Sequence, residues 1–409
     1  MSGPCEAATP RVYAADQSKA AKPAAPHGAG GLLLIPQRDY TPARVEAAVQ
    51  RAFEHFGGVS RFVRPGDKVL LKVNLVAGHE PERRVTTDPS VVRAAARLVL
   101  DCGGHPIIAD SPGIDSFPRA AERAGLMAIA RELDIPCEEL SAPVPLPPAR
   151  GASFRRIEVA RLALEADAII NLPKMKTHGQ MLLSLGVKNL FGCVVGRAKA
   201  AWHYDVGLSR DRFASLLLDI YQGIAPALTI MDGIIGMDGD GPTSGESYPY
   251  GVIAAAEDAL TMDFWLCRMM GAALEDFPLW RAARQRGLPQ SGLREEDVVG
   301  LPTSHRFEGV RLPVSRSLRL LPRLPFIERA FTSRPVHIPE RCAGCGRCQE
   351  ACAAGALTHS SRTLRFDYRK CIRCYCCHEM CPEKAIAFRA SPFARFSRAI
   401  ERLGGWLRL

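Results

Sequence analysis

The stretch AIINLPKMKTHGQMLLSLGVKNLFG, residues 168–192, decides how this chain is read. It opens on Ala168–Leu172, an apolar run without alternation, the pattern of a strand covered on both faces of its sheet. Directly after it come Lys174, Lys176, His178, Lys188 and Asn189. In sheets wound with helices on both sides, ligands sit beyond the carboxyl ends of the strands. A buried strand that runs into so much charge therefore predicts an α/β fold with a site at its strand ends.

Working outward, the same alternation recurs from Gly31 to about Gly271. Further strands are expected at Leu32–Ile35, Lys68–Asn74, Pro106–Asp110, Ala227–Asp232 and Gly251–Ala256. Helices are expected at Pro42–Phe56, Pro89–Cys102, Phe117–Leu133, Met181–Phe191 and Arg210–Gly223. In TTDPSVVRAAARLVL, Thr87 or Asp88 can cap while Pro89 takes the first helical position, where its missing N–H is harmless. Strands alternating with helices make a mainly parallel sheet with flanking helices.

The polar residues at the strand ends are Lys72 and Asn74, then Asp110, then Lys174, Lys176 and His178, then Asp232 and Asp238. Lys174, Lys176 and His178 alternate along an extended segment and are expected to point one way. Lys188 and Asn189 join them if the helix after Met181 folds back over the strand ends. Four ammonium groups at one site repel unless the aspartates or a polyanion neutralise them. His178, Lys174 and Lys176 are thus candidate catalytic residues. Lys72, Asn74, Asp110, Lys188, Asn189, Asp232 and Asp238 are candidates for binding a small anionic ligand bearing carboxylates or phosphates. A divalent metal on the aspartates is left open without being indicated. The plainer reading makes the lysines solvated loop charges and the MDGDGP aspartates turn formers. No P-loop and no strand-linked G-x-G-x-x-G supports nucleotide binding, and no EF-hand loop is present.

Nine of the 14 cysteines fall between Cys342 and Cys381. CAGCGRCQEAC and CIRCYCCHEMC are both C-x2-C-x2-C-x3-C, offset by 29 residues. This resembles the bacterial two-cluster ferredoxins over roughly residues 333–390, in repeats of 333–362 and 363–390. In that arrangement three closely spaced thiolates wrap one [4Fe-4S] cubane and the fourth reaches the other. Cluster one takes Cys342, Cys345, Cys348 and Cys381; cluster two takes Cys371, Cys374, Cys377 and Cys352. Two four-cysteine zinc sites are the alternative, but those pair C-x2-C units across a longer gap. Ala353 stands where the ferredoxins carry proline, and Cys376 is an extra thiol beside cluster two.

Residues 1–30 are Ala/Pro/Gly-rich with few large apolar side chains and are expected to be disordered. The α/β domain spans 31–283, and a Pro-broken connector on the surface of both domains spans 284–332. Residues 391–409 form a basic amphipathic helix, with Phe393, Phe396, Ile400 and Leu403 on one stripe and Arg395, Arg398 and Arg402 opposite. From His305 onward there are 20 Lys/Arg against 8 Asp/Glu, so the net charge of +10 belongs to the C-terminal quarter. That tail suits an anionic membrane surface or an acidic partner, the plainer reading being a helix packed back on the α/β domain with a solvated basic face; nothing suits nucleic acid. No apolar run reaches the roughly 20 residues of a membrane span and no signal pattern opens the chain, so a cytoplasmic protein is expected.

Residues 68–271 resemble the domain-of-unknown-function 362 family through LLKVNL, TTDPSVVRAAARLVLDCGG, DSPG, NLPKMKTHGQMLLSLGVKNLFG, MDGIIGMDGDGP and MDFWLCRMMG. The family's KPN strand end is here KVN. The resemblance implies the α/β fold with an appended small α+β two-cluster ferredoxin domain, and it names no substrate. The expected function is electron transfer: an iron–sulfur oxidoreductase serving a small anionic substrate or cofactor in the lysine-lined cleft, with a redox partner protein as donor or acceptor. The alternative is a non-catalytic electron carrier whose α/β domain recognises a partner protein.

Overall fold

A computed structural model describes residues 31–113, 115–313 and 332–389. The expected disordered start and the C-terminal amphipathic helix lie outside the described residues. The chain runs through β1 (Leu32–Pro36), α1 (Pro42–His55), β2 (Lys68–Lys72), α2 (Pro89–Asp101), β3 (His105–Asp110), α3 (Phe117–Arg123), α4 (Leu126–Leu133) and β4 (Cys137–Glu139). A small hairpin of β5 (Pro143–Pro145) and β6 (Glu158–Ala160) precedes α5 (Arg161–Glu165), β7 (Ala168–Asn171), β8 (Lys174–His178), β9 (Leu182–Ser184) and α6 (Gly186–Asn189). Next come α7 (Ala198–Val206), α8 (Arg210–Ile224), β10 (Leu228–Asp238), β11 (Glu246–Tyr248), β12 (Val252–Ala256), α9 (Ala259–Met269), α10 (Pro278–Gln285) and β13 (Val298–Val299).

The main sheet orders its strands β13-β1-β12-β10-β7-β2-β3-β4. From β10 to β4 every pairing is parallel. At the other side β12 runs antiparallel to both β10 and β1, and off this path β11 and β9 run antiparallel to β10 and β8, so the sheet is mainly parallel with β12 the one reversed strand of the main order. Alternation along β2 shows why its sequence carries no polar face. Val69 and Leu71 join the core beneath α1 and α2, while Leu70 joins the core beneath α8 and α9. Each such buried leucine is worth about 1.5–3 kcal/mol. Asp88 caps α2 by accepting the Ser90 N–H, with Pro89 at the first position.

Three expectations need correction. The helix expected over Met181–Phe191 is a strand, β9, hydrogen-bonded to β8, then the single turn of α6 and a 3-10 turn over Leu190–Cys193. Asp263 on α9 takes the Gly186 and Val187 N–H groups at 2.8 and 3.0 Å, so a distant carboxylate caps α6 and sets where it begins. The helix expected over Phe117–Leu133 breaks at Gly125, whose φ of 75° suits glycine. The connector is more than a surface strap, because β13 within it pairs parallel to β1 and Arg311 holds Asp238 at 2.7 Å.

The cysteine module has β14 (Arg334–His337) antiparallel to β17 (Ile386–Arg389), and between them a hairpin of β15 (Leu357–Ser360) and β16 (Thr363–Phe366). One-turn helices cover Arg347–Glu350 and Cys376–Glu379. Its buried core is Cys348, Leu357, Leu364, Cys377 and Ile386. Two of these are thiols, too little apolar material to hold a domain unaided.

The module docks on the loops at the carboxyl edge of the sheet. Thr243 Oγ1 donates to Glu379 O at 2.8 Å, and Arg347 pairs with Asp115 at 3.0 Å. A Cβ at Gly179 would stand 3.0 Å from the Phe388 ring, and one at Gly113 would stand 3.2 Å from Met380. Glycine at these two loop positions lets the module approach.

Candidate functional site

The strand ends gather the expected residues into separate buried pairs. Lys72 Nζ lies 2.8 Å from Asp110 Oδ1, both out of solvent. Asp110 also accepts the Leu75 and Ser111 N–H groups. Gly192 passes directly over this pair: a Cβ there would sit 2.2 Å from the carboxylate.

Lys174 lies 2.7 Å from Asp232 and 2.7 Å from the Tyr40 hydroxyl. Lys176 donates to Asn74 Oδ1 at 2.6 Å and to Val85 O at 2.8 Å. With no carboxylate bonded to it, burial and the charge of Lys188 push its pKa down to about 7. Asn74 passes the chain on through Asn189 to Asn171.

The expectation that Lys174 and Lys176 open into one shared site is therefore corrected. A buried ammonium must find acceptors, and each has found its own. Lys72 likewise stands behind Asp110. Asp232 serves Lys174, Tyr40 and the Asp88 N–H. Asp238 belongs to Arg311, so the three aspartates form no common cation site.

What remains is a cavity of about 300 Å³ between the sheet edge and the cysteine module. Of the expected residues, Asn74, Asp110, Lys188 and Asn189 line it. The Lys188 ammonium has no hydrogen bond or ion pair among the described residues; burial lowers its pKa and Glu379 works against that. His178 stands behind the wall, its Nδ1 accepting the Gln180 and Met181 N–H groups, which puts the proton of the neutral ring on Nε2. That Nε2 is 3.2 Å from Glu379 Oε1, at an angle short of a hydrogen bond. Burial pushes His178 down to about 4, so it is neutral at pH 7.

Sequence reasoning missed Lys199 and His203 on α7, which line the same cavity. Their spacing of four places both on one helix face, a signal that was available had α7 been recognised. Lys199 donates to Ser111 O and Oγ at 2.8 and 2.9 Å, and burial pushes it down to about 8. His203 is 5% exposed and tilts over Phe213 with ring centroids 4.5 Å apart; its Nδ1 has no partner among the described residues. The opposite wall comes from the module: Glu350, Ala351, Cys376, Glu379 and Met380. Nothing in CCHEMC could have told that its glutamate faces another domain.

The cysteines fit two cubanes. Cys352, Cys371, Cys374 and Cys377 line one small hollow. Cys381 stands within electrostatic reach of Cys342, Cys345 and Cys348. Ala356 N–H donates to Cys352 Sγ and Ala385 N–H to Cys381 Sγ, both at 3.2 Å. The two crossing thiols thus carry matched hydrogen bonds 29 residues apart.

Such a fold and such cysteines define an α/β protein carrying a two-cluster ferredoxin module, which binds two [4Fe-4S] clusters and transfers electrons. Its α/β part matches Domain of unknown function (DUF362) over residues 69–268, and its module matches the 4Fe-4S dicluster domain over residues 334–382. Thylakoid-associated protein sll1697 of Synechocystis sp. is 34% identical over 323 residues, 75% of this chain and 97% of that protein. The chain belongs to the DUF362 family. A component of the ion-translocating oxidoreductase complex of Methanosarcina acetivorans is 40% identical over 48 residues, 12% of this chain and 18% of that protein. Among solved structures, the lactate racemase apoprotein of Thermoanaerobacterium thermosaccharolyticum matches with a TM-score of 0.37 and 13% identity, covering 57% of this chain and 55% of that one. That likeness is too distant to inform the reaction. No helix among the described residues is long and apolar enough to cross a membrane.

Proposed function

We propose that this protein is a ferredoxin-fused oxidoreductase serving a small anionic substrate or cofactor in the cavity between its two domains. One observation carries the reading: the same cavity is lined by Lys188, which has no ion-pair partner among the described residues, and by Cys376 and Met380, the chain neighbours of cluster ligands Cys377 and Cys381. The clusters supply one-electron chemistry and no hydride. The chain's own residues do the rest. Lys188 takes the ligand's negative charge, and Lys199 with Ser111 binds a second polar edge. Asn74 and Asn189 orient the ligand, while His203 Nδ1 can exchange a proton with it. Lys72, Lys174, Lys176 and His178 hold these groups in place from behind.

Charge bookkeeping narrows the ligand. Lys72 and Lys174 are each neutralised by an aspartate, and burial with the neighbouring Lys188 charge weakens the charged form of Lys176. The cavity's other charges are Lys188, Arg197 and Lys199 against Glu350 and Glu379, a surplus that suits one carboxylate or one phosphate group and not a polyanion.

The test is an anaerobic, EPR-monitored redox titration of the full chain with and without a panel of small carboxylates and inorganic phosphate. A binding anion should shift at least one cluster potential, and Lys188→Ala should abolish the shift while keeping both clusters. Potentials indifferent to every anion, with partner capture intact in Lys188→Ala, would favour the non-catalytic carrier. A redox partner protein and a cytoplasmic site of action belong to the same reading, which the clustered cysteines support because cytosolic thiols stay reduced and free to bind iron. The name of the Synechocystis relative supports peripheral membrane contact through residues 391–409, which vesicle co-sedimentation of a chain ending at 390 would check.

A further inference from the structure

We propose that the face around Cys345 is a docking surface for an acidic electron-carrier protein. Among the described cysteines Cys345 alone is exposed; its repeat counterpart Cys374 and the neighbouring Cys376 and Cys377 are more covered. Cluster one is thus the cluster that a protein in solution can approach.

The rim of that approach is basic. Arg341 precedes Cys342 and is exposed; Arg362, also exposed, sits at the turn of the β15–β16 hairpin. This turn packs on the cluster loop: a Cβ at Gly344 would meet Ser361 O at 2.9 Å and Arg362 Cγ at 3.7 Å. On the same hairpin Arg365 is exposed. None of these three guanidinium groups has an ion pair or hydrogen bond among the described residues. Arg347, two residues beyond Cys345, is engaged with Asp115 and anchors the module to the α/β domain. Of the exposed carboxylates close in sequence, Glu350 lines the inter-domain cavity and Asp367 accepts the Arg369 N–H; Glu340 remains, and it does not cancel three arginines. Unpaired, solvated guanidinium groups around an exposed metal ligand attract a partner of opposite charge and orient it with its acidic face on Cys345. Nothing in this surface depends on what fills the cavity, so its test and that of the cavity ligand fail independently.

The test is calorimetric binding of an acidic plant-type two-iron ferredoxin to the cluster-loaded full chain. Affinity should fall roughly tenfold or more between about 50 and about 300 mM salt, and by a similar factor in Arg341→Glu/Arg362→Glu at low salt. The control Arg131→Glu, on α4 of the α/β domain, should leave affinity unchanged, and basic cytochrome c should not bind. Iron content and melting of the double variant check its folding; if it loses iron, Arg341→Gln/Arg362→Gln is read instead, with roughly threefold weakening expected. Equal affinity in wild type and either double variant, or equal weakening in the α4 control, overturns the docking face. So does tighter binding of cytochrome c than of the acidic ferredoxin.

Discussion

Lys174 and Asp232 are wholly buried and 2.7 Å apart, which makes them the clearest case of charge used for architecture. Removing one partner leaves the other charged in the core, so Lys174→Met should destabilise by about 3–5 kcal/mol in chemical denaturation. Pairing it with Asp232→Leu should recover only part, because Tyr40 and the Asp88 N–H also lose their acceptor. Gly192→Ala should cost about 1–3 kcal/mol by driving a methyl into the Lys72–Asp110 pair, and should weaken anion binding as that pair shifts. The identity of these lysines was legible in the sequence, as was their place at strand ends. Their partners were not, because Asp232 and Lys174 meet across 58 residues and period-two alternation gives only a direction.

At the scale of elements, α7 matters most. It brings Lys199 to the cavity with a pKa pushed down to about 8 by burial. Its ammonium is charged below that pH and neutral above it, so anion affinity should fall as pH rises through about 8. Lys199→Arg, charged at every accessible pH, should flatten that fall in a titration across pH 6 to 9, a range set by ordinary buffers around a lysine lowered from roughly 10.4. On the module side the Cys376 thiol lies within electrostatic reach of the expected ligand Cys374. Cys376→Ala should retain iron but lower the potential of cluster two, since a donor to cluster sulfur favours the more negative reduced state. The parallel strands were readable because they are apolar on both faces. The reversal of β12 was not, since a strand buried on both faces reads the same in either direction. Nor was the strand β9, since LLS is too short for its period to separate strand from helix.

The described residues form two domains that meet over a cavity, and the small core of the cysteine module leaves it to the clusters to hold that domain together. Anaerobic chelation should therefore unfold the module, exposing residues 333–389 to protease, while the α/β domain keeps its own melting transition. The division into two domains was visible in the cysteine clustering alone. How they meet was not, because contacts such as Thr243 with Glu379 span 136 residues and leave no pattern in either segment. Hydrogen-exchange protection of α7 should fall on chelation, as its cavity-facing side loses the opposite wall.

On the ligand assignment expected above, Cys352 and Cys381 would each leave their own repeat to complete the neighbour's set of four. Metal is consequently a covalent bridge between the halves of the module, doing what a disulfide does in a secreted miniprotein but responding to chelators instead of thiols. A chain nicked in the turn between β15 and β16 should still migrate as one species under native conditions and separate only when iron is stripped. Loss of either fourth thiolate would weaken the cluster wrapped by the other repeat, so damage to one half should be felt in both.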